Sequence, residues 1–385
     1  MSSPTDRIHA LDNLRAAIMF MGITHHSALA FTVTPLRWMI QDRSTSFGFD
    51  AMVAAGEGFR MQMFFLLAGF FGRMLMGRMS LKGFLWQRGQ RIGAPFALSL
   101  VTLVPVSNLI WSWGANAQRW AFPSTTSDWL GLFSTPGHLW FLEMLIILQA
   151  GAAVCVWTRY PAPSRSRCHR LDAAFDWLVA HPWRLWALLP ATVLLMWPSP
   201  APGQVLAKGA SFWLPVHAVS YYGLFFVLGW WLHRRPGALE RLSAGFKGHL
   251  SLSLLSFPAF GLALLMRPAP DDPWFIAFKV FTLLAASLFA WATVFAMTAW
   301  FMRHANCHRP LIRHLSNSSY WCYLVHLPLV LWLHGVTAPW NINCWMKFGF
   351  VVLVTTAASL LSYECCVRRT WLGWLLNGRK QAAAA

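Results

Sequence analysis

The chain has 385 residues, of which 57% are hydrophobic and 11% charged. A soluble domain carries about 25% charged residues, so the composition excludes a globular enzyme wrapped in an ordinary polar surface. The formal charge of +18 would suit nucleic acid in a soluble protein; here the order of the basic residues along the chain accounts for it, and no nucleic-acid partner is expected.

Apolar runs about as long as one bilayer crossing, roughly twenty residues, recur along the whole chain. They are continuous rather than alternating, which argues against a barrel. The expected fold is all-α: one integral membrane domain over 1–385, a polytopic bundle with spans near 14–34, 55–76, 92–113, 138–158, 183–198, 212–233, 249–266, 275–302, 318–335 and 346–363. The fifth is short and bounded by prolines. No internal repeat and no cleavable signal peptide is read. With the N-terminus inside, the inner segments carry 21 Arg and Lys and the outer loops 5. That imbalance places both termini in the cytoplasm, with the basic loops against the anionic lipid of an inner (plasma) membrane. Of the seven cysteines only Cys344 falls in an outer loop, so no disulfide framework is expected.

Ionisable residues inside spans are costly and each needs a reason. In the first span Arg15 and His26 are eleven residues apart, which returns them to one helix stripe about 16 Å apart along the axis. A cation at the inner end and an imidazole deep on the same stripe suit one ligand running between them. The plainer alternative is a charge anchor and a packing histidine. His25 adjoins His26, and only the spacing from Arg15 favours His26.

In the second span Arg60 lies at the depth of His26. It either snorkels or pairs with Glu57, or it serves as a guanidinium fork for an oxyanion or a carboxylate. The loop that follows holds Arg88 and Arg91, three apart on one helical face. That pair suits a phosphorylated ligand from the cytoplasm, or is simply an inner-loop pair of positives. The fourth span opens with His138, Trp140 and Glu143, again near the depth of His26, where Glu143 needs an imidazole or an arginine as partner. His326 falls mid-membrane in the ninth span, where a polar residue bonded between helices is the plain reading. Lys279 is read as snorkelling. His304, Cys307, His308 and His314 have no metal-site spacing, and no metal is expected.

Arg15-x10-His26, Phe59 to Phe71, Arg88-x2-Arg91, His138-Leu139-Trp140-Phe141-Leu142 and Tyr323-Leu324-Val325-His326 follow one another in that order. The set resembles the acyltransferase-3 family of integral membrane acyltransferases. The run Phe59-Arg60-Met61-Gln62-Met63-Phe64-Phe65 looks most like the branch that succinylates osmoregulated periplasmic glucans. The resemblance implies catalysis by His26 with Arg15, and a cytoplasmic acyl-CoA (succinyl-CoA) donor met by Arg88 and Arg91. It also implies a glucan hydroxyl as acceptor and other glucan-biosynthesis proteins as partners. Arg60, His138, Trp140, Glu143 and His326 are the expected substrate-binding residues, with no permanently bound cofactor. Whether the imidazole acts as base or takes the acyl group transiently is left open. The rival readings are a secondary transporter or exporter of envelope glycans, which would also use buried His, Arg and Glu but commonly shows paired repeats, and a non-catalytic envelope assembly protein.

Overall fold

A computed structural model of the chain describes residues 9–36, 38–116, 119, 124–158, 165–181, 183–199, 212–235, 237–266, 271–306 and 310–377, with the side chains of 165–169 and 377 left aside. Cys307 and His308, the side chain of Cys168, and several basic residues used to orient the chain (Arg7, Arg37, Arg159, Lys208, Arg267, Arg309, Arg379 and Lys380) lie outside these residues.

Among the described residues there is no strand. The order is α1 (His9–Ala28), α2 (Phe47–Met76), α3 (Leu81–Arg88), α4 (Ala94–Val101), α5 (Leu103–Ala115), α6 (Thr126–Gly131), α7 (Trp140–Trp157), α8 (Arg165–Ala180), α9 (Arg184–Met196), α10 (Val216–Arg234), α11 (Ala238–Ala244), α12 (Phe246–Leu265), α13 (Phe275–His304), α14 (Pro310–Thr337), α15 (Cys344–Ser362) and α16 (Trp371–Asn377).

Every expected span falls on a helical stretch, yet among the described residues only five stretches are both long and apolar enough to cross a bilayer: Leu81–Ala115, Gly137–Trp157, Phe246–Leu265, Phe275–His304 and Cys344–Val367. A sixth exists if α8 and α9, bent by 116°, form one broken span. The long helices that fall short are α1, α2, α10 and α14, and the reason is chemical. They hold Arg15, His25 and His26; Glu57, Arg60 and Gln62; His217 and His233; His326 and His334. Three of them (α1, α2 and α14) carry four of the candidate site residues: Arg15, His26, Arg60 and His326. These polar-bearing helices pack on one another, α10 on α2, α1 on α14 and α1 on α2. Large exposed apolar side chains stud the others, such as Leu254 and Leu255 on α12 and Leu353 and Leu361 on α15.

The segment 88–91 is not a loop. A π-turn over Gly89–Gly93 carries α3 into α4, closed by the Ala94 amide donating to the Gly89 carbonyl. Glycines at both edges and Pro95 just beyond weaken the ordinary helix ladder there.

Two features fix the frame of the site. Gly69 of α2 and Gly229 of α10 touch backbone to backbone. A Cβ on Gly69 would lie 1.9 Å from the Phe226 carbonyl oxygen, and one on Gly229 would lie 1.8 Å from that of Leu66. Small residues allow this close approach between membrane helices. The first turns of α1 are tied to the end of α13: Asn13 Nδ2 donates to the Ala305 carbonyl at 2.7 Å, and the Ala10 amide to Asn306 Oδ1 at 3.1 Å.

Candidate active site

Helices α1 and α14 run in the same direction, side by side. At one end Arg15 Nη2 donates to Ser316 Oγ at 3.2 Å. At the other the rings of His26 and His326 lie 5.2 Å apart. The helix repeat explains both contacts, because Arg15 and His26 share a stripe of α1 and Ser316, Tyr320, Tyr323 and His326 share a stripe of α14. The rings on the second stripe follow in steps of 6.5 Å from Tyr320 to Tyr323 and 6.1 Å from Tyr323 to His326.

The arginine end is built from three segments. Arg15 also meets Asp12 at 3.5 Å and lies 5.4 Å over the Phe71 ring. Arg88 lies over Phe84 at 5.5 Å, and its buried Nε has no hydrogen-bond partner. Tyr320 Oη donates at 3.1 Å to the carbonyl of Arg91 in the π-turn. Arg15, Arg91 and Tyr320 all act electrostatically on Arg88. Three half-buried guanidiniums therefore share one end of the α1–α14 stripe, with Asp12 as the acid bonded there.

The histidine end is built around a proline. Pro328 has no N–H, so the Leu324 carbonyl one turn earlier has no helical donor. His138 Nε2 occupies that carbonyl at 3.1 Å, while Tyr323 Oη donates to the His138 carbonyl at 2.8 Å. His138 itself stands on a short 3₁₀ turn that starts at Gly137, whose φ of +53° suits glycine. His326 Nδ1 lies 2.7 Å from the Tyr323 carbonyl. A carbonyl only accepts, so Nδ1 carries the proton and Nε2 holds a lone pair. That Nε2 is buried and has no hydrogen-bond partner.

His26 is the more open member of the pair. It is half-buried, its Nδ1 is shut in without a partner, and Trp38 lies nearly parallel to it at 5.9 Å. His25 points elsewhere: it is buried, and a Cβ on Gly56 of α2 would come within 2.7 Å of its Nδ1. Arg60 is 6% exposed and brings Nη1 to the Gly22 turn of α1, with no hydrogen-bond partner for Nε or Nη1. It acts electrostatically on His26 and His326, and Glu57 acts on it in turn. Two guanidinium donors and an imidazole lone pair thus sit in one buried cluster with no hydrogen-bond partner among the described residues.

The remaining expected residues divide. Trp140 is buried against Tyr222 at 5.7 Å, beside the cluster. Glu143 neither orients an imidazole nor pairs with an arginine: no hydrogen bond or ion pair among the described residues joins it to His26 or Arg60, and its Oε2 is buried without a partner. Lys279 lies 4.8 Å over Trp197. His304 and His314 have separate partners, the Trp300 carbonyl at 3.0 Å and Glu364 at 3.1 Å.

Trp38 and His334 belong to the site and are not singled out by the sequence; Tyr323, read there only as the start of the Tyr323–His326 run, belongs to it as well. Trp38 reads as an interfacial belt residue until its fold neighbours are known. Tyr323 has a signal in its three-residue spacing from both Tyr320 and His326.

The fold and site define a membrane protein whose buried polar helices hold unpaired catalytic-type groups at one end and clustered arginines at the other. Residues 8–364 match the family described as an acyltransferase domain, and the chain belongs to this acyltransferase-3 family of membrane enzymes. It is similar to the glucans biosynthesis protein C of Salmonella agona, Salmonella paratyphi A and Salmonella enteritidis, at 26% identity over 98% of this chain and 96% of each relative. No solved structure matches it significantly. The protein is therefore a membrane acyltransferase.

Proposed function

We propose that the protein is an O-acyltransferase of the inner membrane that moves a succinyl group from cytoplasmic succinyl-CoA to hydroxyls of a periplasmic glucan. The observation that carries this reading is the pairing of the α1 and α14 stripes, which links the arginine end to the histidine end. In this reading α1, α2, α10 and α14 also cross the membrane, α9 crosses as the short fifth span, and both termini are cytoplasmic. The excess of Arg and Lys on the inner segments supports that orientation. The names of the Salmonella relatives support a glucan as acceptor.

The donor's phosphates would be held by Arg15, Arg88 and Arg91, as guanidiniums hold phosphate well. Its pantetheine arm would run past Tyr320 and Tyr323. Arg15 and His26 are separated by about 16 Å of helix, a span that an extended pantetheine arm suits. At the far end an imidazole lone pair takes the proton of an acceptor hydroxyl. The hydroxyl oxygen attacks the thioester carbonyl carbon, the C–S bond breaks, and the imidazolium returns the proton to the thiolate. The products are a sugar ester and free CoA. Arg60 would donate to the tetrahedral oxyanion or hold the distal carboxylate of the succinyl group. General-base help of this kind contributes about 10² to 10⁴-fold.

The test is the charge and base-labile ester content of periplasmic glucans from three strains: gene intact, gene deleted, and His26→Ala. Succinyl esters in the first alone support the reading. Unchanged glucans in all three would remove the glucan as acceptor.

A further inference from the structure

The segment between α1 and α2 is not used by the mechanism above, yet it is tied down on both sides of Trp38. Both oxygens of Asp50 accept from the amides of Val33 and Thr34, at 2.8 and 2.9 Å. The Asp42 amide donates to the Ala30 carbonyl at 2.8 Å, and the Asp42 carboxylate receives Lys347 Nζ of α15 at 2.7 and 3.0 Å. Both side chains of that pair are almost wholly buried, at 2% and 3% exposed. The Cys344 amide donates to Ser44 Oγ at 3.1 Å. Ties on both sides of Trp38 hold its side chain in place.

The side chain this segment presents to the site is Trp38. Its ring lies 5.9 Å from His26 with 23° between the planes. Its indole N–H donates to His334 Nδ1 at 3.0 Å. Nδ1 is therefore an acceptor, the ring proton sits on Nε2, and Nε2–H donates to the Ser27 carbonyl at 3.1 Å. His334 is 2% exposed and uses both nitrogens. Trp111 closes the edge of Trp38 at 5.4 Å. The contacts form a ring: Ser27 adjoins His26 in the chain, His334 bonds Ser27, Trp38 bonds His334, and Trp38 stacks on His26.

We propose that Trp38 and His334 are positioning residues: they clamp the imidazole of His26 and shield its outer face. The inference rests on the acyl-transfer reading for its consequence but not for its test. A face held by a fixed aromatic ring keeps one imidazole orientation, and misplacing a catalytic group by about 1 Å can cost about 10²-fold in rate.

The test is site-resolved labelling of histidines with diethyl pyrocarbonate in the full-length protein in lipid nanodiscs, read by peptide mass spectrometry. Trp38→Leu and His334→Phe should label His26 several-fold faster than wild type. Trp38→Phe, which keeps a ring over His26, should stay near wild type. His304, remote from the clamp, is the internal reference and should not change; a general rise that includes it would mark unfolding and overturn the clamp, as would unchanged His26 labelling in both disrupted variants. Acyl transfer by the same samples is the second readout. Trp38→Leu should lower kcat about 10- to 100-fold with the KM for acyl-CoA unchanged, and Trp38→Phe should restore most of it. If KM rises instead, Trp38 binds donor and does not position His26. If labelling rises as expected while the wild-type protein transfers no succinyl group, the clamp stands and the assigned reaction falls.

Discussion

His26 and His326 face each other with ring centroids 5.2 Å apart, in the same helix register that sets Arg15 against Ser316. Only His26 is partly open, while His326 is 2% exposed with its Nδ1 proton committed to a backbone carbonyl. The pair thus has one accessible imidazole and one buried imidazole of fixed tautomer.

His326 is expected to matter as much as His26. His326→Ala should lower acyl transfer about 10² to 10⁴-fold, the range of lost general-base help, while leaving the protein folded. His326→Asn tests the tautomer separately: it can still donate to the Tyr323 carbonyl but offers no basic nitrogen, so it should be as inactive as Ala. Steady-state transfer by purified variants checks this, and near-normal activity in His326→Asn would reduce His326 to a packing role.

Arg60 has two unpaired buried donors beside this pair. Arg60→Gln should depress transfer of succinyl more than of acetyl if the guanidinium holds the distal carboxylate. Competition between the two acyl-CoA donors gives the ratio directly. An equal loss for both would assign Arg60 to the oxyanion alone.

Arg88 and Arg91 should act on binding and not on chemistry. Arg88→Gln and Arg91→Gln are expected to raise the KM for acyl-CoA, by about tenfold each if one charged hydrogen bond of about 1.5 kcal/mol is lost, with kcat little changed. The effect should shrink with a donor that lacks the 3′-phosphate. A fall in kcat at unchanged KM would contradict a role in holding the donor.

The Asp42–Lys347 pair should be a stability determinant of the segment that carries Trp38. Lys347→Met leaves a buried carboxylate without its cation, which typically costs about 3–5 kcal/mol. The double variant Asp42→Asn with Lys347→Met should recover much of that loss. Thermal unfolding in detergent measures both, and a single variant as stable as wild type would show that the pair is not needed.

The helical fold and the α1 stripe were legible in the sequence because both follow from periodicity: twenty-residue apolar runs, and an eleven-residue spacing that brings Arg15 and His26 onto one line. Which helix lies beside that line is not periodic information. His326 was readable only as a polar residue at some depth, and its pairing with His26 comes from α1 and α14 running parallel. Glu143 was expected to find a partner because a buried carboxylate needs one, but depth alone does not set direction around the α7 axis. Lys347 shows the reverse case. It falls inside the expected span 346–363, and a buried lysine demands an acid, yet Asp42 is about three hundred positions away in sequence. Pro328 left the clearest unread signal: a proline inside a span frees the carbonyl four residues before it, and that carbonyl holds His138.

The most direct test of the central claim is transfer of radiolabelled succinyl from succinyl-CoA to glucan by the purified protein in lipid nanodiscs, with wild type, His26→Ala and His326→Ala compared. Labelled ester on the glucan from wild type alone is the expected result. Comparable labelled ester from both single variants would contradict a reaction centred on these two imidazoles.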